Sequence, residues 1–254
     1  MAKIPAATGR VVIEGESPRV NGGRFAAKRL VGEKITVEAD VFADGHDTIG
    51  AVMRTRKTGS RRWAETRMIP IGNDRWRSEF TPEEIGVWEY EIEGWVDQFA
   101  GWLDGFEKKV AAELDVTVDL QLGAELASAA STRAKGKAGR TLKKHAASLG
   151  DSSLELTERL ETAFSEELKA LMDEHPDRSR ATRSSRRYKV IVDREKAGFS
   201  TWYELFPRSW AAQPEGQAFV DLAKQLGYVA DMGFDVLYLP PIHPIGTTFR
   251  KGPN

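Results

Sequence analysis

The sequence predicts a multidomain protein: an N-terminal antiparallel β-sandwich with an inserted α-helical bundle, followed by the first βαβ unit of an incomplete (β/α)8 barrel. Three observations predict it. Apolar residues alternate with polar ones through residues 10–104, helical periodicity runs through 105–177, and two short apolar runs flank one helix in 198–254.

Composition excludes several classes of protein. The chain has 254 residues, 41% hydrophobic and 30% charged, with a net charge of -1, so nothing attracts it as a whole to nucleic acid or to an anionic membrane. It has no cysteine, which excludes disulfides and thiolate chemistry. Its first residues lack the apolar core of a signal peptide, and no apolar run approaches the about 20 residues of a membrane span. We therefore expect a cytoplasmic protein with no nucleic-acid or membrane partner.

The β-sandwich is predicted within residues 1–104. Ile35, Val37, Ala39 and Val41 alternate with polar residues, which is typical of a half-buried strand. Further short runs, separated by turn residues, are Val11–Ile13, Ala51–Thr55, Arg62–Ile69, Trp76–Phe80 and Val87–Trp95. Several short strands at this spacing favour an antiparallel sandwich.

Tryptophan is concentrated in this region. Five of the seven tryptophans are Trp63, Trp76, Trp88, Trp95 and Trp102. Large aromatic side chains are mostly buried and contribute strongly to a small core, so we favour a core role for them. Exposed tryptophans would instead stack on sugar rings, which keeps a glucan-binding sandwich open as an alternative.

Helical periodicity follows. Apolar residues recur every fourth position from Phe106 to Ala130, and a second, short helix is predicted to stop at Gly150. Ser152 with Glu155 fits a capping box, and the apolar stripe Leu156–Leu171 lies beyond it. An apolar stripe this regular must be buried. Either the neighbouring helices or a second copy of the protein would pack against it.

A run of five arginines lies within Asp177–Arg187. No aromatic residue is interleaved with it, so a solvated connector is favoured over an anion or nucleic-acid site. Tyr188–Val192 then restores the strand pattern, and we interpret it as a strand returning to the sandwich. The helices would thus be an insertion between sandwich strands.

We accordingly divide the chain into four segments. They are a sandwich domain (1–104), the helical insertion (105–182), the return strand with its linker (183–197) and the start of a barrel (198–254).

The last segment contains one predicted parallel βα unit. Thr201–Phe206 and Asp235–Leu239 are predicted as buried strands, with a helix over Glu215–Met232 that ends at Gly233 in the left-handed conformation. The turn after the first strand is Pro207–Trp210 and lacks the glycine-rich phosphate loop of a doubly wound sheet. A barrel is therefore the better interpretation, with its site in the loops that follow the strands.

These residues also carry a resemblance. The runs WYELFPRS, MGFDVLYLPPIHPIG and FRKGPN are similar to the opening of the catalytic barrel in the α-amylase superfamily. PPIHPIG with RKGPN close behind it resembles in particular the α-1,4-glucan:maltose-1-phosphate maltosyltransferase family, which extends bacterial α-glucans. The resemblance implies a transferase that moves maltosyl units from maltose 1-phosphate to the non-reducing end of an α-1,4-glucan, releases phosphate and retains the anomeric configuration. It also implies a homodimer formed through the N-terminal domains.

The resemblance places the catalytic carboxylates on later barrel strands. An eight-stranded barrel needs about 250 residues of its own, so we expect this chain to be the front part of a longer polypeptide and to be inactive alone. Glu204 and Asp235 are the acidic residues nearest the predicted strands, but neither matches a catalytic position of the family. We assign no catalytic residue in this chain.

Substrate contacts are expected in the loop after the second strand. His243, Arg250, Lys251 and Asn254 are its polar side chains. By resemblance, Lys251 faces the donor-sugar subsite, where a lysine can donate hydrogen bonds to hydroxyl groups. His243 lies between prolines, and we favour a role in supporting the loop. No set of residues has metal-ligand spacing and no nucleotide-binding glycine motif is present, so we expect neither metal nor cofactor.

Two alternatives stay open. Hydrolases, branching enzymes and trehalose synthases share the barrel opening of the superfamily. A stand-alone glucan-binding or dimerisation module, without chemistry, would also account for the tryptophans and the helical stripe.

Overall fold

The computed structural model describes residues 9–210, 218–243 and 246–251, which form twelve strands and seven α-helices. The strands are β1 (Val11–Ser17), β2 (Ala27–Leu30), β3 (Ile35–Ala43), β4 (Ile49–Lys57), β5 (Ala64–Arg67), β6 (Ile69–Gly72), β7 (Arg75–Phe80), β8 (Gly86–Val96), β9 (Thr182–Arg183), β10 (Tyr188–Asp193), β11 (Trp202–Glu204) and β12 (Val236–Tyr238).

The first sheet has four antiparallel strands in the order β1-β3-β7-β6. The predicted alternation on β3 is confirmed, because Ile35, Val37, Ala39 and Val41 are all fully buried. One face of this sheet is therefore apolar along its central strand.

The second sheet has the order β2-β10-β8-β4-β5, with β9 also pairing with β8. The predicted return strand is confirmed as β10, which lies parallel to β2 and antiparallel to β8. Because β8 and β10 are neighbours, the helices between them are an insertion between two adjacent strands. Val37 and Val41 of the first sheet and Met53, Ile92 and Val190 of the second belong to one buried cluster, so both sheets contribute to a single core.

The interpretation of Arg62–Ile69 as one strand is wrong. The chain instead forms β5, which pairs with β4, and then β6, which pairs with β7 in the other sheet. Met68 lies between them, is buried, and donates its N–H to the Ala51 carbonyl over 3.0 Å. Periodicity cannot show such a crossing, because both halves have strand composition.

The helices are α1 (Gln98–Ala111), α2 (Thr117–Arg133), α3 (Gly136–Gly150), α4 (Leu156–Phe164), α5 (Glu166–Glu174), α6 (Ala218–Lys224) and α7 (Leu226–Asp231). The first begins before the helical region predicted from Gly105, because the Asp97 side chain accepts a hydrogen bond from the Ala100 N–H and caps it. Helix α3 follows the prediction, with Leu142, Ala146 and Leu149 buried.

The continuous stripe from Phe106 to Ala130 is also wrong. The chain leaves α1 at Ala112, and Glu113 adopts a φ of 53°, so α2 starts with a new rotation. Leu120 is fully buried in α2, whereas Val118 is 79% exposed. The turn between the helices, which no residue spacing indicates, sets which face is buried.

The predicted capping box is wrong as well. Ser153 donates its N–H and its hydroxyl to Asp151, while Glu155 at the start of α4 makes no side-chain cap. The stripe beyond it is broken at Ser165, whose hydroxyl accepts from the Leu168 N–H and caps α5. A serine in the middle of an apolar repeat thus divides one predicted helix into two.

An aromatic stack fills the core of the insertion. Trp102 stacks on Phe106 with ring centroids 4.9 Å apart, and Phe106 meets Phe164 at 5.5 Å. The Trp102 indole N–H donates to the Asp119 carbonyl over 2.8 Å. A Cβ at Gly123 would lie 2.3 Å from the Trp102 ring, so only glycine lets α2 pack this close.

The last segment is a parallel strand pair with two short helices. Trp202 pairs with Val236 and Glu204 with Tyr238. The predicted single helix is interrupted at Gln225, and its first residues, 215–217, lie outside the described residues. Gly233 has the predicted positive φ, at 85°. The strands are not buried as predicted: Trp202 is 59% exposed, because two strands have no further strand to cover them, and no barrel closes within the described residues.

Candidate functional site

The predicted binding loops follow β11 and β12. Leu205 donates its N–H to the Tyr238 carbonyl over 3.2 Å, which keeps the ends of the two strands together. Glu204, the last residue of β11, is exposed, and its carboxylate forms no hydrogen bond or ion pair with any described residue. The carboxyl ends of both strands therefore meet at one edge, where a barrel places its site.

Asp235 lies at the opposite ends of these strands. Its carboxylate accepts hydrogen bonds from the Thr201 N–H and hydroxyl, at 3.1 and 3.2 Å, and pairs with Lys196 Nζ at 2.6 Å. The Lys196 ammonium group, followed by the Thr201 N–H, lowers the pKa of Asp235 below its ordinary value. These contacts join the start of each strand to the linker. Asp235 therefore has a structural role and is not a reacting group.

Lys251 is exposed, as are Arg250 and His243. None of the three makes a hydrogen bond or ion pair with another residue in the part of the chain that the structure describes. Asn254 lies outside that part, as do Pro244, Gly252 and Pro253. The structure therefore brings none of these predicted residues together, and the role of Lys251 stays a prediction.

The five predicted core tryptophans differ in burial. Trp95 and Trp102 are buried, and the other three are partly buried. The indole N–H groups of Trp76 and Trp88 donate to the carbonyls of Val41 and Glu84. Such anchored rings favour packing over sugar stacking.

The structure also contains a cluster of paired, charged side chains that the sequence analysis did not identify. Glu89, Glu91 and Glu93 alternate along β8 on the face opposite Tyr90 and Ile92, and all three are buried. A buried carboxylate is costly unless it is paired. Each of these has at least one arginine partner.

We call this set the arginine–glutamate cluster; its members are Arg54, Arg56, Glu65, Glu89, Glu91, Glu93, Arg178, Arg183 and Arg187. Arg56 pairs with Glu89, and Arg54 with Glu91 at 2.6 Å. From the run after α5, Arg187 reaches Glu91 at 3.0 Å and Arg183 reaches Glu93 at 2.6 Å. The hydrogen bond that Arg183 donates to the Glu93 carboxylate raises the pKa of Arg183.

Two tryptophans complete the cluster. The Arg56 guanidinium lies 4.3 Å from the Trp63 ring centroid. Trp95 has Arg178 at 4.5 Å and Arg67 at 5.0 Å from its ring. Cations at these distances are attracted by the ring quadrupole, and they occupy the faces that a sugar would need.

The interpretation of Asp177–Arg187 as a solvated connector holds only in part. All of its arginines except Arg178 are exposed, but Arg178, Arg183 and Arg187 pair with Glu65, Glu93 and Glu91. Arg178 and Arg187 also lie over the rings of Trp95 and Trp63. The signal was present in the sequence as three glutamates at alternate positions of one strand, but their partners are up to 96 positions away. The cluster holds no free acid or base, so its role is to fix the run against the second sheet.

Among the described residues there is no group of three histidine, aspartate or glutamate side chains arranged to hold a metal ion. Within the same residues, no helix has the length and apolar character to cross a membrane.

The chain is a module of two packed sheets with a helical insertion, and a parallel strand–helix–strand unit follows them. A family model described as α-1,4-glucan:maltose-1-phosphate maltosyltransferase, domain N/S, matches residues 9–194. The chain belongs to this family.

Curated relatives carry the same description. A maltosyltransferase of that name from Chlorobaculum tepidum is 45% identical over 246 residues, covering 96% of this chain and 36% of the relative. That of Myxococcus xanthus is 45% identical over 260 residues, covering 97% and 38%. Maltosyltransferase 1 of Streptomyces coelicolor is 39% identical over 258 residues, covering 100% and 38%. The chain thus corresponds to the N-terminal part of these relatives and spans well under half of their length.

Proposed function

We propose that the whole protein transfers maltosyl units from maltose 1-phosphate to the non-reducing end of an α-1,4-glucan in α-glucan biosynthesis. One observation carries this proposal: relatives with that activity in their names align with 96% or more of the chain at 39–45% identity. Because the chain spans only 36–38% of those relatives, the activity is proposed for the whole protein.

The proposed reaction is a double displacement. One carboxylate attacks the anomeric carbon, the bond from that carbon to the phosphate oxygen breaks, and phosphate leaves. The terminal 4-hydroxyl of the glucan then attacks the glycosyl-enzyme while a second carboxylate takes its proton. Two inversions retain the anomeric configuration. We assign both carboxylates to residues beyond this chain; Asp235 is held by Lys196 and Thr201, which supports leaving it out.

The architecture proposed for the chain has two parts. The two sheets that share a core would form the sandwich, with α1–α5 as its inserted bundle, and β11 and β12 would begin a (β/α)8 barrel. The parallel pairing of β11 and β12 across two helices supports the second part. The division at 1–104, 105–182, 183–197 and 198–254 is retained as a proposal, although α1 already begins at Gln98.

Lys251 is proposed to face the donor-sugar subsite, with His243 supporting its loop. Both lie on the segment after β12, which is the edge where a barrel binds substrate. We further propose a cytoplasmic homodimer that associates through the N-terminal parts.

Phosphate release tests the proposed function. The whole protein, incubated with maltose 1-phosphate and maltohexaose, should release phosphate and extend the oligosaccharide in steps of two glucose units. The 254-residue chain under the same conditions should release none. Intact maltose 1-phosphate with the whole protein would exclude the reaction, and turnover by the chain alone would overturn the placement of the carboxylates.

A further inference from the structure

Helix α3 has an unusual charge content. Between Lys135 and Gly150 the sequence has no acidic residue. Its five lysines and arginines are Lys135, Lys137, Arg140, Lys143 and Lys144, and all are exposed. The whole chain, by contrast, has nearly equal numbers of basic and acidic residues, 37 and 38.

Four of these cations lie on one face of the helix. Lys137, Arg140, Lys143 and Lys144 have the spacing i, i+3, i+6 and i+7, which at 3.6 residues per turn covers one side. The opposite side buries Leu142 and its neighbours one turn away. The basic face is therefore about 10 Å long, from the rise of about 1.5 Å per residue over seven residues.

The basic face has no partner among the described residues. Other basic side chains of the insertion are paired: Lys109 with Asp119 at 2.6 Å, Lys169 with Glu166 at 3.0 Å, and His145 with Glu167 at 3.2 Å. No hydrogen bond or ion pair joins the four cations of the face to any residue that the structure describes. Like charges this close repel one another on a helix, so an opposite charge brought to the face gains interaction energy.

The surroundings limit the shape of the partner. Helix α4, which contacts α3, carries the exposed Glu155, Glu158 and Glu161 at its start and on its surface. A broad, uniformly negative partner, such as a membrane or a nucleic-acid duplex, would extend beyond this single basic helix, and the helix that contacts it carries acidic side chains. No aromatic residue lies between Glu107 and Ala163 to stack on bases.

We propose that the basic face of α3 docks an acidic helix of another protein. A helix is about 10–12 Å wide with its side chains, which matches a positive surface one helix wide. Carboxylates on that helix at i, i+3, i+4 and i+7 would meet the four cations over two turns. Acidic charge on α4, the helix that contacts α3, disfavours negative partners wider than one helix, which gives the surface its selectivity.

The test uses a fluorescent, alanine-rich peptide of about 20 residues, because isolated helices shorter than about 15 residues are marginal in water. It carries glutamates at i, i+3, i+4 and i+7 and capped ends, and its anisotropy is measured with the whole protein at about 150 mM salt, where long-range attraction is screened. The comparison ligands are the same peptide with glutamines, a DNA duplex and vesicles containing phosphatidylserine.

The test variant is K137Q/R140Q/K143Q/K144Q. Its matched control, K28Q/R61Q/R62Q/K189Q, removes four exposed cations elsewhere, none of which pairs with a described residue. We expect the test variant to bind the acidic peptide roughly ten-fold or more weakly and the control to stay within about two-fold. Unchanged circular dichroism verifies that both variants are folded.

Four results would overturn the proposal. Three are no binding of the acidic peptide, equal loss in the control variant, and tighter binding of the duplex or the vesicles than of the peptide. Self-association of the protein that the test variant abolishes would show that a second copy covers the face, and would also overturn it.

Discussion

The described residues of 9–197 and of 198–251 bury their apolar side chains to different extents. The first part has two closed cores, one between the sheets and one inside the helical insertion. In the second part only Leu205, Leu222 and Val229 are buried. Its large exposed apolar residues are Phe199, Trp202, Phe206, Phe219, Val220, Leu226, Tyr228, Met232, Tyr238, Ile242 and Phe249.

Polar contacts differ in the same way. In the first part, buried carboxylates of β8 are matched by arginines that arrive from β4 and from the run after α5. In the second part, the main polar contact is made by Asp235 with Thr201 and with Lys196 of the preceding linker. The comparison teaches that residues 9–197 hold themselves together, whereas the strand pair leaves apolar surface uncovered, as the proposed barrel would require.

The largest expected effect is on the buried aromatic stack. Phe106→Ala should lower the free energy of unfolding by about 3–5 kcal/mol, because Phe106 is only 1% exposed and truncation leaves a cavity. The matched substitution in the second part is Phe219→Ala, at a residue that is 51% exposed. It should change stability by less than about 0.5 kcal/mol. Urea unfolding of both variants measures this, and equal losses would break the comparison.

The second largest effect on stability is expected in the arginine–glutamate cluster. Glu91→Gln should cost about 2 kcal/mol, because the hydrogen bonds from Arg54 and Arg187 lose their charged acceptor. Arg54 keeps Glu65 and Glu93 as partners, which limits the loss. Glu83→Gln, at an exposed residue with no partner among the described residues, is the control and should be nearly neutral. The denaturant midpoint reports both. A neutral Glu91→Gln would mean that the cluster contributes nothing to holding the run in place.

A smaller effect is expected at Lys251, in the whole protein. Lys251→Gln should lower kcat/KM for maltose 1-phosphate by about ten-fold or more, since a hydrogen bond to the donor sugar would be lost. Lys189→Gln, an exposed lysine on β10, should leave kcat/KM unchanged. Steady-state kinetics separates the two variants. Equal kcat/KM values for the two variants would show that Lys251 is a surface lysine without a contact to the donor sugar.

The smallest effect concerns pH at the base of the strand pair. Because the pKa of Asp235 is lowered in the folded state, its contacts are complete above the ordinary pKa of about 4. They should be lost as the pH falls through the lowered pKa. The chemical shift of the Thr201 amide, which donates to Asp235, follows this transition. Asp235→Asn should abolish it and Asp231→Asn should not; a transition that survives Asp235→Asn would assign it to another group.

Much of the fold follows from local pattern. The alternation on β3 and the apolar spacing of α3 place buried residues correctly, because each element packs against one side of a core. The return strand Tyr188–Val192 is also predictable, since it is short, apolar and bounded by polar residues. Its parallel partner β2 is not, because Ala27–Leu30 carries two basic residues among its four.

What the sequence did not show depends on contacts far along the chain. From Arg178 to Arg187 the sequence contains no acidic partners for its arginines. The carboxylates that pair with Arg183 and Arg187 lie on β8, which precedes the helical insertion. The crossing at Met68 joins two sheets, and the turn at Glu113 rotates a whole helix. For the candidate site, composition located a polar loop after β12, but the proposed position of Lys251 relative to a sugar depends on the remaining strands of the proposed barrel.

Hydrogen–deuterium exchange tests the central claim most directly, comparing the 254-residue chain with the whole protein. We predict that amides of β11 and β12 exchange quickly in the chain and slowly in the whole protein, while those of β3, β8 and β10 are equally protected in both. Strong protection of β11 and β12 in the chain alone would contradict the account, because it would show that the strand pair needs no further cover.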